Sequence, residues 1–153
     1  MKLPVASAGD KKAGFTLIEV LIVLGILLII FSVGGPISFN FYLDYQLDAE
    51  NNLLLSILRH ARNLSMVNHN ESDHGLYIKT DEFVIFQGAS YATRVASQDR
   101  GFPRAAVIAA TGPAEIIFSS LSGAASASST YSLNDGRRTR DIFVNSEGLV
   151  YEP

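Results

Sequence analysis

Apolar residues are spread unevenly along the chain, and their spacing divides it into a long helix and a region of strands. A run of 24 residues, 20–43, contains no charged side chain. At a helical rise of about 1.5 Å per residue this run is about 36 Å long, enough to span a hydrocarbon core of roughly 30 Å. The pattern therefore predicts a helix that begins at Phe15 and is apolar on all sides in its first half.

The predicted helix continues to about residue 68, but its second half is amphipathic. Apolar residues recur here at three- and four-residue steps, and Asp48, Arg59 and Arg62 fall on the opposite face. We expect the apolar face to pack on a sheet. That face consists of Leu43, Leu47, Leu54, Ile57, Leu58, Ala61 and Leu64.

Beyond residue 68 the apolar period shortens to that of β-strands. Asn134-Asp135-Gly136 is the strongest turn signal and predicts a hairpin. The segment 119–130 is rich in Ser, Ala and Gly and predicts a mobile loop, whereas 88–103 is turn-rich. The expected fold class is α+β, with an antiparallel sheet packed on the helix. The predicted strands are 76–79, 83–86, 105–110, 115–119, 130–133, 141–144 and 149–151.

A single carboxylate, Glu19, interrupts the apolar stretch 15–31. Burying an unpaired carboxylate in hydrocarbon is costly, so an acid in such a segment is a candidate functional residue. The alternative is that Glu19 has no functional role, and that its side chain either extends to water at the membrane surface or stays protonated. The segment before this stretch is short, polar and basic, and it ends in Gly14, directly before Phe15.

The order of leader, Gly14, Phe15 and Glu19 resembles that of type IV prepilins, the precursor class that includes the pseudopilins of type II secretion. The resemblance implies cleavage between Gly14 and Phe15 by a prepilin peptidase, followed by N-methylation of the new Phe15 amine. Glu19 would then pair with the Phe15 amine of a neighbouring subunit and select the register of assembly. An ordinary secretory signal fits poorly because the apolar run is too long, and an uncleaved anchor leaves Glu19 unexplained.

The same resemblance divides the chain and predicts a break in the helix. The predicted parts are a cleaved leader at 1–14, a transmembrane and filament-core helix at 15–43, an amphipathic helix at 44–68 and a β-sheet domain at 69–153. Gly34, Gly35 and Pro36 predict a kink, because proline removes a backbone hydrogen bond. In pilins a proline here accompanies a helical stretch that loses order on assembly, and a simple kink is the alternative.

The C-terminal part carries a second, looser resemblance, to minor pilins and pseudopilins of the GspH/FimT group. It rests on Ile116-Ile117-Phe118, on the segment 142–150 with the sequence Ile-Phe-Val-Asn-Ser-Glu-Gly-Leu-Val, and on Ala61-Arg62 with Leu76-Tyr77-Ile78. Together these motifs cover most of the chain that would remain after removal of the leader. They imply a minor subunit of a type II secretion pseudopilus or a type IV pilus.

Charge orients the predicted membrane segment. The formal net charge is −3, and the leader, with three lysines and one aspartate, contributes +2, which leaves −5 for the rest. Lysines precede the apolar run, whereas Asp44, Asp48 and Glu50 follow it. The positive-inside rule therefore predicts one pass through the inner membrane, with a cytoplasmic N-terminus and a periplasmic or extracellular C-terminal domain.

Two clusters of polar residues remain as candidate sites. The metal-like cluster, whose spacing matches no zinc or calcium pattern, consists of His69, Glu71, Asp73 and His74. The arginine cluster, which would contact nucleic-acid phosphates or simply flank a solvated hairpin, consists of Arg137, Arg138 and Arg140. The serines of 119–130 lack a His/Asp context for catalysis. We therefore expect no enzyme activity, no metal and no cofactor.

The predicted function is that of a structural filament subunit, a minor pilin or pseudopilin. Its predicted partners are the prepilin peptidase, other subunits in a helical filament and the membrane, with nucleic acid less favoured. Two alternatives remain open: a DNA-binding minor pilin that serves DNA uptake, and a membrane-anchored domain that never polymerises. The sequence leaves open which machine hosts the subunit.

Overall fold

The computed structural model describes residues 14–152, except for the side chains of 33–40. It divides into two units, Met1–Asn40 and Phe41–Pro153, which are described separately below. One helix, α1 (Leu17–Met66), belongs to both. The predicted leader lies almost entirely outside the described residues. The predicted kink at Gly34, Gly35 and Pro36 falls where side chains are not described, so it stays a prediction.

The helix ends close to the predicted position, and its end has a local cause. Asn68 adopts φ 53°, in the left-handed region that asparagine tolerates better than most residues. A short 3₁₀ helix, His69–Glu71, follows and leads the chain into the strands. The helix therefore ends two residues before the predicted position.

The second unit contains two four-stranded antiparallel sheets within the described residues. The first has the order β3-β2-β1-β5 and consists of β1 (His74–Ile78), β2 (Glu82–Gln87), β3 (Arg100–Pro103) and β5 (Glu115–Phe118). The second has the order β4-β6-β7-β8 and consists of β4 (Ala109–Thr111), β6 (Ser129–Asn134), β7 (Thr139–Val144) and β8 (Val150–Tyr151). The α+β class is confirmed, with two sheets where a single sheet was expected.

The hydrophobic core lies between the second half of α1 and the sheets. The predicted apolar face of the helix is mostly buried, although Leu43 and Leu64 remain half-exposed. Its buried members are Leu47, Leu54, Ile57, Leu58 and Ala61. They pack with Leu76, Phe83, Ile85, Ile116 and Phe118 of the first sheet and with Tyr131, Leu133, Ile142, Val144 and Val150 of the second.

A smaller apolar layer covers the other face of the first sheet. Phe86 is fully buried there and packs over Gly75, where a Cβ atom would collide with its ring. Tyr91, from the segment after β2, stacks on Tyr77 with ring centroids 3.8 Å apart. The segment 88–99, which is part of the predicted turn-rich stretch 88–103, therefore has a packing role and covers part of this face of the sheet.

Two strands were missed or misplaced, whereas the other predicted strands differ from the observed ones by at most two residues at either end. The strand β3 was not predicted, and 105–110 contains only the start of β4. The segment 119–130, which was expected to be mobile, is held by backbone bonds, including Leu121 N–H to Ser65 O at 2.9 Å. It also contains the start of β6 at Ser129. These differences arise because long-range contacts, absent from local patterns, fix the segments.

A buried ion pair connects α1 to the strands. Glu50 and Arg104 each have a side chain 6% exposed, and Arg104 Nε lies 3.6 Å from Glu50 Oε1. Burial raises the pKa of Glu50, whereas the Ala105 N–H and the Arg104 guanidinium oppose that rise. Arg104 also donates to Lys79 O at 2.8 Å and to Ile108 O at 3.1 Å. Its guanidinium therefore joins three separate parts of the chain.

We predict that Arg104→Ala lowers the free energy of unfolding by about 3–5 kcal/mol, because it leaves a carboxylate buried without its cation. Urea unfolding of the full chain in detergent, followed by circular dichroism, measures this loss. The exposed Arg100 supplies the control, and Arg100→Ala should cost less than about 0.5 kcal/mol. Equal losses in the two variants would contradict the assigned role.

Candidate functional site

The first unit presents the predicted assembly residues at the start of α1. Thr16 precedes the first helical residue, and its Oγ1 accepts a hydrogen bond from the Glu19 N–H at 3.3 Å. Thr-x-x-Glu is the sequence of a capping box, in which the threonine satisfies a free amide of the first turn. Glu19 also lies in that turn, where a negative charge is favourable. Sequence reasoning missed the cap, although Thr16-Leu17-Ile18-Glu19 was its signal.

Apolar side chains cover this helix, and within the described residues of the unit they pack on nothing. Phe15 is 85% exposed and Leu17 82% exposed, and the large hydrophobic residues as far as Phe31 are at least 41% exposed. A groove of about 240 Å³ runs along one flank, lined by Phe15, Glu19, Val20, Val23 and Leu24. Continuous exposed apolar surface of this kind marks a site of protein or membrane interaction.

The groove places the acid inside an apolar surface. Glu19 is exposed, and within the described residues no Lys, Arg or His side chain lies within 4.0 Å of its carboxylate. Phe15 and Glu19 line the same groove, so a molecule seated there would contact both. The described residues thus bring together two of the three predicted N-terminal site residues, and Gly14 directly precedes them.

Comparison with known proteins identifies this segment. Residues 9–34 match the family model described as the prokaryotic N-terminal methylation motif. No curated protein and no solved structure matches the chain. The chain therefore carries a type IV prepilin-like signal, which indicates processing by a prepilin peptidase and a structural role in assembly with other pilins. The match confirms the class of N-terminal signal that Gly14, Phe15 and Glu19 predicted.

Over residues 14–32 and 41–152, no helical stretch combines the length and the apolar character needed to cross a membrane.

The arginine cluster lies against the helix of the second unit. Arg138 Nη2 lies 2.6 Å from Asp44 Oδ2, and Arg137 Nη1 lies 3.7 Å from Asp44 Oδ1. Arg140 donates to Asp48 Oδ1 from two nitrogens, at 2.9 and 3.1 Å. All three arginines thus pair with helix carboxylates, which lowers the positive charge that they offer to phosphates.

The turn that carries these arginines is fixed by its own acid. Asp135 Oδ1 accepts hydrogen bonds from the Arg137 and Arg138 amides, both at 2.7 Å. Those two backbone bonds hold the pKa of Asp135 below its usual value. Gly136 adopts φ 87°, which glycine allows at little cost. The predicted Asn134-Asp135-Gly136 hairpin is confirmed, and it aims the arginines at α1.

The metal-like cluster is dispersed. Asp73 Oδ1 accepts from the Ser120 amide at 2.7 Å, Glu71 is exposed, and the rings of His69 and His74 lie 5.7 Å apart between centroids. In the described part of the chain no three His, Asp or Glu side chains are placed to hold a metal ion. His74 is only 3% exposed, and its backbone N–H donates to the buried Ser65 hydroxyl at 2.9 Å. The buried histidine therefore joins the helix to β1.

We predict that the chain loses stability as the pH falls from 7 to 5. Burial lowers the pKa of His74 below its usual value near 6.5, so the unfolded chain binds a proton more readily than the folded one. Thermal unfolding as a function of pH measures the slope, and His74→Gln should flatten it. The exposed His60 is the control, since His60→Gln should leave the slope in place. An unchanged slope in His74→Gln would contradict this assignment.

Proposed function

We propose that this chain is a minor pilin or pseudopilin, a structural subunit of a type II secretion pseudopilus or a type IV pilus. The observation that carries the proposal is the methylation motif at 9–34, together with the apolar side chains at the start of α1, which stay exposed among the described residues of their unit. In this role 15–43 is embedded in the inner membrane before assembly and lies in the filament core afterwards. The sheet domain then lies outside the core.

The GspH/FimT group is the subclass that we propose. Its support is the C-terminal sequence pattern, which falls on β5, β7 and β8 around the buried Ile116, Phe118, Ile142 and Val144. A helix followed by antiparallel strands is the architecture that such a subunit requires. This assignment favours a subunit of low abundance over the main building block.

Assembly in this proposal depends on Glu19 and the amine that cleavage would create on Phe15. Both residues line one open groove, so a second helix seated there would bring its own charges to them. A carboxylate and an amine in hydrocarbon stabilise each other, whereas either alone costs several kcal/mol. Only the staggered register that joins them would therefore be stable.

DNA binding is the weaker candidate. Its support was the cluster Arg137, Arg138 and Arg140, each of which lies within 4.0 Å of Asp44 or Asp48. An arginine already paired with a carboxylate releases less free energy on meeting a phosphate. We therefore propose that the cluster fastens the β6–β7 hairpin to α1.

Gly14→Val should leave a full-length precursor on a gel, because the peptidase needs a flexible backbone without a side chain next to the scissile bond. A Cβ atom at Gly14 would have no neighbour within 4 Å, so the substitution does not disturb packing in this chain. Gly25 meets the same condition and supplies a matched control: Gly25→Val should be processed normally. Normal processing of Gly14→Val would count against the prepilin assignment.

Glu19→Gln should be cleaved and inserted in the membrane but should be recovered with filaments at least about tenfold less than the parent, since a loss of about 1.4 kcal/mol has that effect. Co-purification with sheared filaments measures incorporation. The exposed Asp81 is the control, and Asp81→Asn should be incorporated normally. If Glu19→Gln were incorporated at the parental level, the register role of the carboxylate would be refuted.

A further inference from the structure

The arginines differ in whether the chain compensates their charge. Of the eight arginines, five lie within 4.0 Å of a carboxylate: Arg94, Arg104, Arg137, Arg138 and Arg140. Within the described part of the chain, Arg59, Arg62 and Arg100 have no carboxylate at that distance. Arg59 and Arg62 lie one helical turn apart on α1, whereas Arg100 lies on β3. The uncompensated charge is therefore concentrated on one stretch of the helix.

Both helix arginines line the same hollow between α1 and the C-terminal strand. The hollow has a volume of about 200 Å³ and is lined by Arg59, Arg62, Asn63, Leu149 and Val150. Arg59 Nη2 donates to Val150 O at 3.3 Å, and Arg62 donates to Gly123 O at 3.3 Å and to Glu147 O at 3.4 Å. These carbonyls orient the guanidinium groups but do not neutralise them.

Two glycines, Gly123 and Gly148, allow the backbone to lie close to Arg62. Gly148 has φ 77°, and a Cβ atom there would collide with Gly123 O and lie 3.0 Å from Arg62 Nε. A Cβ atom on Gly123, where φ is 64°, would lie 3.3 Å from Arg62 Cγ. The loop 119–124 and the turn 145–148 thus approach the arginine more closely than other residues would allow. The backbone around the Arg62 guanidinium is therefore already in place before any ligand binds.

We propose that this hollow receives the carboxylate side chain of an adjoining filament subunit, which rests on the assembly role proposed above. The volume suits one side chain. Two arginines and the Asn63 amide offer hydrogen-bond donors to a carboxylate. Charge-assisted hydrogen bonds of this type are stronger than those between neutral groups. Leu149, which is 52% exposed at the rim, provides apolar contact for the stem of an acidic side chain. The site would join two subunits outside the filament core.

The surroundings favour a protein carboxylate over a nucleic acid. Duplex DNA carries one charge per roughly 1.7 Å of axis and is bound by extended rows of cations. The hollow has two arginines beside the exposed Leu149, and the exposed Glu147 lies two residues earlier in the chain. Two cations form a site for one anion and not an extended row. A lipid headgroup is also disfavoured. Arg59 lies 15 residues beyond Asp44 on α1, about 22 Å along the helix from the proposed membrane segment.

Photocrosslinking in whole cells tests the proposal with the full chain. The probe is p-benzoylphenylalanine at position 149, and position 107, an exposed valine, carries the same probe as a control. We expect an adduct at 149 that maps by mass spectrometry to an acidic segment of a pilin-like subunit. Arg59→Gln/Arg62→Gln should lower its yield about tenfold, whereas Arg59→Lys/Arg62→Lys should restore part of it. Arg100→Gln should leave the yield unchanged.

The controls separate this proposal from the assembly role. Cleavage after Gly14 and recovery with filaments are measured on each variant, and trypsin resistance confirms that it is folded. An adduct that persists in Arg59→Gln/Arg62→Gln, that maps to a segment without Asp or Glu, or that is sensitive to nuclease would overturn the carboxylate site. So would the lack of an adduct in chains that are cleaved and recovered with filaments. Failure of cleavage itself would instead refute the proposed function.

Discussion

The buried pair of Glu50 and Arg104 is the contact on which the arrangement of the second unit depends. Glu50 lies on the apolar face of α1, and Arg104 comes from the connection between the two sheets. Each group has lost most of its water, and among the described residues no further charged side chain lies within 4.0 Å of either group to compensate its charge. Since Arg104 also holds Lys79 O and Ile108 O, the helix, the β1–β2 turn and the approach to β4 meet at one guanidinium.

Two further acids of α1 also form ion pairs with arginines, but these pairs are more exposed to solvent than that of Glu50. Asp44 and Asp48 pair with arginines from the β6–β7 hairpin, and these pairs are partly exposed. Exposed pairs of this kind contribute about 0–1 kcal/mol each, so they position the hairpin more than they stabilise the fold. Asp44 and Asp48, which follow the apolar run, therefore hold the hairpin of the second sheet beside α1.

The sequence predicted elements wherever the determining pattern is local. The helix, its apolar face and the Asn134-Asp135-Gly136 hairpin depend on neighbouring residues, and their positions are confirmed. The connection between the two sheets is held by Arg104, which donates to the carbonyl of Lys79, 25 residues earlier in the sequence, and no local pattern encodes that contact. The sequence did contain one signal for this contact that the prediction did not use. Glu50 lies three residues after Leu47 and four before Leu54, so it falls on the apolar face of the helix. A charged residue on an apolar stripe indicates a buried partner.

Two acids lie on apolar surfaces of α1, and they differ in whether the described chain supplies a cation. Glu50 has its cation within the chain and is buried with it, so its role is structural. Glu19 lies among exposed apolar side chains, and the described residues bring no cation within 4.0 Å of it. A carboxylate that must leave water needs a cation from some source. In the proposed filament that source would be intermolecular, because the proposed cleavage after Gly14 would create an amine on each subunit. Processing and assembly would then be linked by charge, since an uncleaved chain would lack the amine that its neighbour's Glu19 requires.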